Sequence, residues 1–150
     1  MTSLPPLTAH LGYWLRFVSN AVSHGFALKL EDEGVTVAEW VVLRDLWDEA
    51  AVAPSRLAER MGMTRGAISK LAERLIGKGL VARRDSPDDG RAHTLSLTEP
   101  GRALVPRLVA LADRNDAEFF GHLAPDQRAV LEGLLRDFVR RCRLTGVPTE

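Results

Sequence analysis

Apolar residues recur at three- and four-residue steps along most of this 150-residue chain, which is the spacing of amphipathic helices. The first run predicts a long helix over roughly Leu7 to Leu30. Its apolar positions are Leu11, Trp14, Leu15, Val18, Val22 and Phe26. A second helix follows the segment "EDEG", because Thr36 and Glu39 form a capping-box pattern. Its apolar positions are Val37, Val41, Leu43, Leu46 and Trp47.

Two shorter helices are predicted next, with a tight turn between them. Pro54 suits the first position of one, whose buried side is Leu57, Ala58 and Met61. Gly62 in "MGMT" can take the left-handed conformation that such a break needs. Thr64 can cap the following helix, which ends at Gly77 or Gly79. The inward stripe of this helix is predicted to be Ala67, Ile68, Leu71, Leu75 and Ile76.

The apolar period then changes to two. "LVARR" and "HTLSL" are short alternating strands, and the Pro- and Gly-containing loop from Asp85 to Ala92 joins them into a hairpin. Thr98 starts a helix that runs to about Phe120, and Pro125 opens a last one. The stripe of that last helix is Val130, Leu131, Leu134, Leu135, Phe138, Val139 and Cys142. The predicted fold is mainly α with a small β-hairpin.

Composition narrows the class of protein. The chain is 45% hydrophobic and 27% charged, which is ordinary for one globular domain. We expect no signal peptide and no membrane anchor, because the N-terminal residues lack a charged region before an apolar block. A single cysteine excludes an intrachain disulfide framework. The expected compartment is the cytoplasm.

The net charge is zero, but the charges are segregated along the chain. Residues 31–50 hold seven acids and one base, whereas residues 54–84 hold eight bases and two acids. Local basicity makes an electrostatic footprint for phosphates, whatever the total charge. A solvated basic face remains the alternative.

Two short helices, a Gly-containing turn and a two-stranded ribbon together describe a winged helix–turn–helix. Such a module suits DNA, because a helix fits the major groove and its N-terminal residues reach base edges. The residues predicted to face solvent, and hence DNA, are Thr64, Arg65, Gly66, Ser69, Lys70 and Arg74. Arg65 could contact guanine, while Ser69 and Lys70 suit phosphates equally well. The alternative is a winged helix that binds another protein without DNA.

The segments "LAERMGMTRGAISKLAERLIGKGLVARR" and "DDGRAHTLSLTEPGR" closely resemble the MarR family of bacterial transcriptional regulators. The resemblance covers nearly the whole chain, from "VTVAEWVVLRDL" to the helix near Pro125. Its most specific part is the Asp-x-Arg wing followed by an alternating strand and "LT". It implies one MarR-type domain over residues 1–150. Residues 36–98 would be the winged helix–turn–helix, and residues 7–30 and 99–144 the dimerisation helices.

What the resemblance implies for function is a homodimer that binds a pseudo-palindromic double-stranded DNA operator. The mechanism we expect is ligand-responsive repression, in which the effector releases the DNA, while the sequence itself leaves repressor and activator both open. Arg91 would enter the flanking minor groove, and Asp89 would hold it in place. The family also implies a pocket between the dimerisation helices and the winged module, often for aromatic or phenolic acids. Helix position suggests His10, Trp14 and Trp40 as its contacts, although each is more often a core residue. A closed monomeric bundle is the alternative to the dimer.

Other kinds of site have weak support. The Asp-rich loop fails the EF-hand pattern, since Pro87 and Ser96 stand at ligand positions. The four histidines show no metal-ligand spacing, so we expect neither a metal nor a cofactor. His93 is expected to be partly buried, and Cys142 to be a small buried hydrophobe without a redox role. No catalytic motif is present, so an enzyme is the weakest hypothesis.

Overall fold

The computed structural model describes residues 2–85 and 92–150, and in that part of the chain it contains six α-helices and one antiparallel hairpin. The predicted mainly helical fold class with a β-hairpin is therefore confirmed. The elements are α1 (Leu11–Glu31), α2 (Val37–Trp47), α3 (Pro54–Met61), α4 (Arg65–Gly77), β1 (Val81–Asp85), β2 (His93–Leu97), α5 (Glu99–Phe120) and α6 (Pro125–Arg141).

The first helix begins later than the apolar spacing predicts. Leu7–Ala9 form a separate 3-10 turn, and His10 is extended, so α1 starts only at Leu11. The indole Nε1 of Trp14 donates a hydrogen bond to the carbonyl of Thr8 at 3.0 Å and holds this turn against the helix. The prediction of one helix from Leu7 was wrong here, because periodicity does not register a change of hydrogen-bond pattern.

The predicted starts of α2, α4 and α5 are confirmed in detail. The Thr36 hydroxyl accepts the Glu39 N–H at 3.1 Å while the Glu39 carboxylate accepts the Thr36 N–H at 2.9 Å, a complete capping box. Thr64 and Thr98 cap α4 and α5 through their hydroxyls. Gly62 ends α3 in the left-handed conformation, with φ of 65°.

The hairpin pairs Val81 with Leu97 at its base and Asp85 with His93 at its outer end. Val52, between α2 and α3, adds a third short bridge to it through two hydrogen bonds with Leu95. The sequence around Val52 has no alternating apolar pattern of a strand, so this pairing was not predicted. Asp89 and Arg91, the predicted wing contacts, lie outside the residues that the structure describes.

The core lies among α2–α5, the hairpin and the C-terminal end of α1. Its fully buried large side chains include Leu30, Leu43, Leu46, Leu57, Ile68, Leu75, Leu95 and Leu108. The predicted inward stripe of α4 is correct except at its end, where Ile76 is 37% exposed. Ile76 lines a shallow pocket with Arg83 and His93 of the hairpin, and this pocket leaves part of its side chain open to solvent.

The apolar stripes of α1 and α6 are exposed. In α6 no residue is buried, and Val130, Leu134 and Phe138 are at least half exposed. Cys142, at the C-cap of α6, is exposed as well, so the prediction of a buried cysteine was wrong for the single chain. These stripes can be buried only against a further surface, which residues 2–85 and 92–150 of one chain do not supply.

The hairpin is joined firmly to α5. The Thr98 hydroxyl donates to the Gly79 carbonyl at 2.7 Å and also accepts the Gly101 N–H at 3.1 Å. Gly101 packs directly on the Leu80 carbonyl, and a Cβ at this position would collide with that oxygen. Glycine is therefore required here by close approach of two backbones. The chain leaving α4 and the start of α5 form one junction.

Candidate nucleic-acid interface

One face of α4 is polar and exposed along its length. Thr64 at the N-cap is followed on that face by Arg65, Gly66, Ser69, Lys70 and Arg74, all exposed. Their spacing follows from the core, because Ile68, Leu71 and Leu75 occupy the opposite side. A Cβ at Gly66 would have almost open space, so no protein contact in the described residues requires a glycine there.

The basic side chains of this segment divide into two groups. Within the described residues, Arg65, Lys70 and Arg74 form no ion pair, so their charges face solvent. Arg60 instead lies between Asp45 at 2.8 Å and Glu49 at 2.6 Å, and the pKa of Glu49 is lowered by the hydrogen bond from Arg60. The sequence count therefore overstates the footprint, and the free positive charge is concentrated on α4.

The end of α4 is anchored to α2 by a partly buried ion pair. The Lys78 ammonium lies 2.9 Å from Oε1 and 2.8 Å from Oε2 of Glu39, whose side chain is 0% exposed, and it donates to the Gly34 carbonyl at 2.7 Å. Burial of Glu39 by itself raises its pKa, but the hydrogen bonds from Lys78 and Thr36 outweigh burial and leave the pKa below its usual value. This pair joins the C-terminal end of α4 to the first turn of α2.

The described part of the wing carries further polar groups. Arg83 and Arg84 are exposed on β1, and an Arg83 guanidinium nitrogen lies 3.5 Å from Nδ1 of His93. His93 is partly buried, as predicted. Arg83 also lies 3.8 Å from Asp85, which partly offsets its charge. Arg84 is therefore the wing base best placed to add to the potential of α4.

A cavity of about 290 Å³ lies between the long helices and the winged module. Aromatic side chains from three helices form its apolar wall, namely Phe26, Trp40 and Phe120, with Phe26 and Trp40 edge to face at 6.2 Å. Its polar lining is Ser23, Asn115, Asp116 and Glu150, and no Lys, Arg or His lines it among the described residues. Pro148 completes the wall from the segment that follows α6.

Asn115 joins the two long helices beside this cavity. Its amide nitrogen donates to the Val22 carbonyl of α1 at 3.1 Å, and its amide oxygen accepts from Lys29 at 3.0 Å. Lys29 also pairs with Glu118 at 2.7 Å and lowers the pKa of that carboxyl. Asn115 was not among the predicted site residues. It continues the apolar spacing of Leu104, Leu108 and Leu111, and a polar residue at such a position indicates a buried contact.

The three predicted ligand contacts do not come together in one chain. Trp40 lines the cavity, but His10 and Trp14 do not line it and are exposed at the start of α1. Their role as ligand contacts stays a prediction. In the described ranges no cluster of three His, Cys, Asp or Glu side chains could hold a metal ion. No helix among the described residues is long and apolar enough to cross a membrane.

Comparison with known sequences gives a consistent result. A sequence model described as the MarR family matches residues 35–93. A transcriptional regulatory protein for the hcr operon of Thauera aromatica is 32% identical over 136 residues, which cover 90% of this chain and 82% of that protein. An HTH-type transcriptional repressor of Mycobacterium tuberculosis is 34% identical over 121 residues, covering 80% of this chain and 87% of that protein.

Solved structures match over nearly the same extent. Escherichia coli MarR, as a cysteine-to-serine mutant complexed with operator DNA, has a TM-score of 0.75 at 27% identity, and the match covers 86% of this chain and 93% of that one. Bordetella bronchiseptica BpsR, described in terms of regulation of its DNA binding by 6-hydroxynicotinic acid, has a TM-score of 0.76 at 28% identity. That match covers 91% of this chain and 97% of that one.

Proposed function

We propose that this chain, which belongs to the MarR family, is a ligand-responsive transcriptional repressor that binds a pseudo-palindromic operator as a homodimer. The observation that carries this proposal is the capped helix α4, whose bases Arg65, Lys70 and Arg74 are exposed and form no ion pair within the described residues. A helix with such a face enters the major groove and neutralises phosphates. The operator complex of Escherichia coli MarR supports the same use of the fold.

Each contact residue has its own proposed task. Arg65, at the first position of α4, reaches a base edge, while Ser69, Lys70 and Arg74 hold phosphates that fix the register. Thr64 and Gly66 bring the start of the helix close to the DNA backbone. Arg91 enters the neighbouring minor groove, whose negative potential attracts a guanidinium, and Asp89 orients it.

The exposed stripes of α1 and α6 support the homodimer. Leu11, Leu15, Val130, Leu134 and Phe138 are all exposed in one chain, and together they form more apolar surface than a soluble monomer normally leaves open. A two-fold dimer places two recognition helices on two operator half-sites. The proposed activity is binding and not catalysis, and its place is the cytoplasm, where the operator is accessible.

The effector is proposed to be an aromatic or phenolic molecule bound in the cavity. Phe26, Trp40 and Phe120 provide stacking surfaces, and about 290 Å³ is near the lower end of small-molecule pockets, which begin at about 300 Å³. The acids in the lining, Asp116 and Glu150, favour a ligand that is uncharged where it meets them, although Arg128 offsets Asp116 at 2.8 Å. The regulation of BpsR by 6-hydroxynicotinic acid supports an aromatic ring in the proposed effector. It does not support an uncharged effector, because that ligand is a carboxylic acid.

The proposal is tested by fluorescence anisotropy of the purified protein against the DNA upstream of its own gene. A scrambled duplex is the control, and both are titrated at several salt concentrations, because phosphate contacts make affinity fall steeply with salt. We expect preferential, salt-sensitive binding with two chains per duplex. Equal weak binding to both duplexes would rule out the upstream DNA as the operator. The absence of binding at low salt would favour a protein-binding module.

A further inference from the structure

The segment after α6 returns to the winged module and touches the turn before the recognition helix. Arg143, in the left-handed conformation with φ of 52°, and the Leu144 N–H, which donates to the Val139 carbonyl at 3.0 Å, turn the chain out of α6. The Val147 N–H then donates to the Met61 carbonyl at 3.1 Å. Met61 is the last residue of α3, where a carbonyl has no partner within its own helix.

The segment after α6 and the turn after α3 approach each other closely at a pair of glycines. A Cβ on Gly62 would lie 2.6 Å from the Cα of Gly146, a backbone atom that cannot move aside alone. Both residues have positive φ, 65° for Gly62 and 91° for Gly146. Gly62 is two residues before Thr64, which caps α4. The contact therefore lies on the turn of residues 62–64 between α3 and α4, which we call the hinge because it connects α4 to the preceding helix.

The same segment forms a wall of the cavity. Val147 lies in a groove with Trp40, Val41 and Met61, and Pro148 and Glu150 line the cavity itself. Three consecutive parts of one short segment thus contact the hinge, the groove beside Trp40 and the ligand space. A molecule that fills this space meets Pro148 and Glu150, and these residues are only one to four positions from the hinge contacts at Gly146 and Val147.

We propose that residues 146–150 are a strap that couples occupancy of the cavity to the orientation of the recognition helix. With the strap docked, the Met61 carbonyl is satisfied and the hinge is held, and this is the state that binds DNA. A ligand that displaces Pro148 and Glu150 releases Val147 from Met61 and loosens α4. Gly146 and Val147 are positioning residues, since they act through the hinge and not on DNA. This inference rests on the proposed function.

The first test removes one hydrogen bond. Val147→Pro lacks the N–H that Met61 accepts, whereas Val147→Ala keeps it and is the matched control. Couplings between sites commonly change affinity about 5- to 150-fold, so we expect Val147→Pro to weaken operator binding at least fivefold and Val147→Ala to bind like the natural chain. Dimer mass and far-ultraviolet circular dichroism should be unchanged in both. Equal operator affinity of all three proteins would overturn the strap.

A double-mutant cycle tests the coupling without a known ligand. Ala112→Phe places a ring in the cavity, and it should weaken operator binding in the full chain. In a variant lacking residues 146–150 the same substitution should have little further effect. Equal losses in both backgrounds would mean that the cavity acts without the strap.

Hydrogen exchange separates this inference from the proposed function. The amides of residues 62–64 should exchange faster in Val147→Pro than in Val147→Ala, whether or not an operator is found. If exchange is the same in both variants, the strap is overturned even where DNA binding is confirmed. If exchange differs but no DNA preference exists, the docking of the strap on the hinge is supported and the operator proposal fails.

Discussion

The Lys78 ammonium, at the end of the recognition helix, lies within 2.9 Å of both carboxylate oxygens of Glu39, a fully buried residue in the first turn of α2. A buried carboxylate needs a cation, and here the cation belongs to the helix that is proposed to contact DNA. The carboxylate of Glu39 therefore has two roles: it completes the capping box of α2, and it holds Lys78 at the end of α4.

Replacing Lys78 by methionine should destabilise the fold. Glu39 would keep only the Thr36 N–H as a partner, and leaving a buried acceptor short of partners costs about 1–3 kcal/mol. We expect about 2 kcal/mol, the middle of that range, because Lys78 is 39% exposed and water screens part of the loss. Urea unfolding gives the value. Lys70→Met, on the exposed face of the same helix, is the control and should change stability by less than about 0.5 kcal/mol.

At acid pH the difference in unfolding free energy between the natural chain and Lys78→Met should become smaller. The pKa of Glu39 is below its usual 4.5 in the folded chain, so its charge contributes stability above that pH and the contribution is lost as pH falls through the folded pKa. Glu49 and Glu118 also have lowered pKa values, so all variants should lose stability in acid. The gap between the natural chain and Lys78→Met should narrow below pH 4.5. A constant gap would show that Glu39 does not carry the effect.

Arg65 and Lys70 should differ in what they contribute to DNA binding. Arg65→Ala should cost about 1–3 kcal/mol on the operator and much less on a scrambled duplex, because the lost contact is to a base. Lys70→Ala should weaken binding to both the operator and the scrambled duplex, and it should reduce the slope of log affinity against log salt by about 1. Anisotropy titrations at four salt concentrations measure both effects. Identical behaviour of the two variants would contradict the division of tasks.

Arg91→Ala should weaken operator binding about 5- to 150-fold while dimer mass and melting temperature stay the same, since about 1–3 kcal/mol is typical of one specific contact. Asp89→Asn should have a smaller effect in the same direction. Arg136→Ala removes the same charge from exposed α6 and is the control for net charge. Unchanged operator affinity at matched salt would remove Arg91 from the mechanism.

The cavity should prefer an uncharged aromatic ligand. A matched pair is 6-hydroxynicotinamide and 6-hydroxynicotinic acid, which differ only in the group that would meet Asp116 and Glu150. We expect the amide to bind about tenfold more tightly at neutral pH, and Glu150→Gln to reduce that preference. Isothermal titration calorimetry measures both. Tighter binding of the acid would contradict this preference and would indicate a cation at the cavity that its described lining does not contain.

Local signals in the sequence were sufficient to predict most helices and strands and the outward face of α4. Thr36, Pro54, Gly62 and Thr64 act within one helical turn of themselves, so their roles follow from spacing alone. The outward face of α4 followed in the same way from its inward stripe.

The remaining features depend on partners distant in the chain. Glu39 meets Lys78 from 39 positions away, Asn115 meets Val22 from 93, and Val147 meets Met61 from the far end of the chain. No periodicity encodes such pairs. The prediction that Cys142 is buried was wrong for a related reason. An apolar stripe predicts burial, but it does not indicate whether the covering surface belongs to the same chain.

The junction at Thr98 also gives the molecule a mechanical property. Since Thr98 and Gly101 bind the start of α5 to the base of the hairpin, we expect α5 to act as a rigid arm that carries the hairpin with it. That arm has 22 residues and is about 33 Å long. Tilting it by about 5° carries the hairpin about 3 Å, close to the rise of one base pair, about 3.4 Å. The crossing angle of the two arms in the proposed dimer would therefore work as a gauge of half-site spacing, and operators with one added or removed base pair would each demand a different angle.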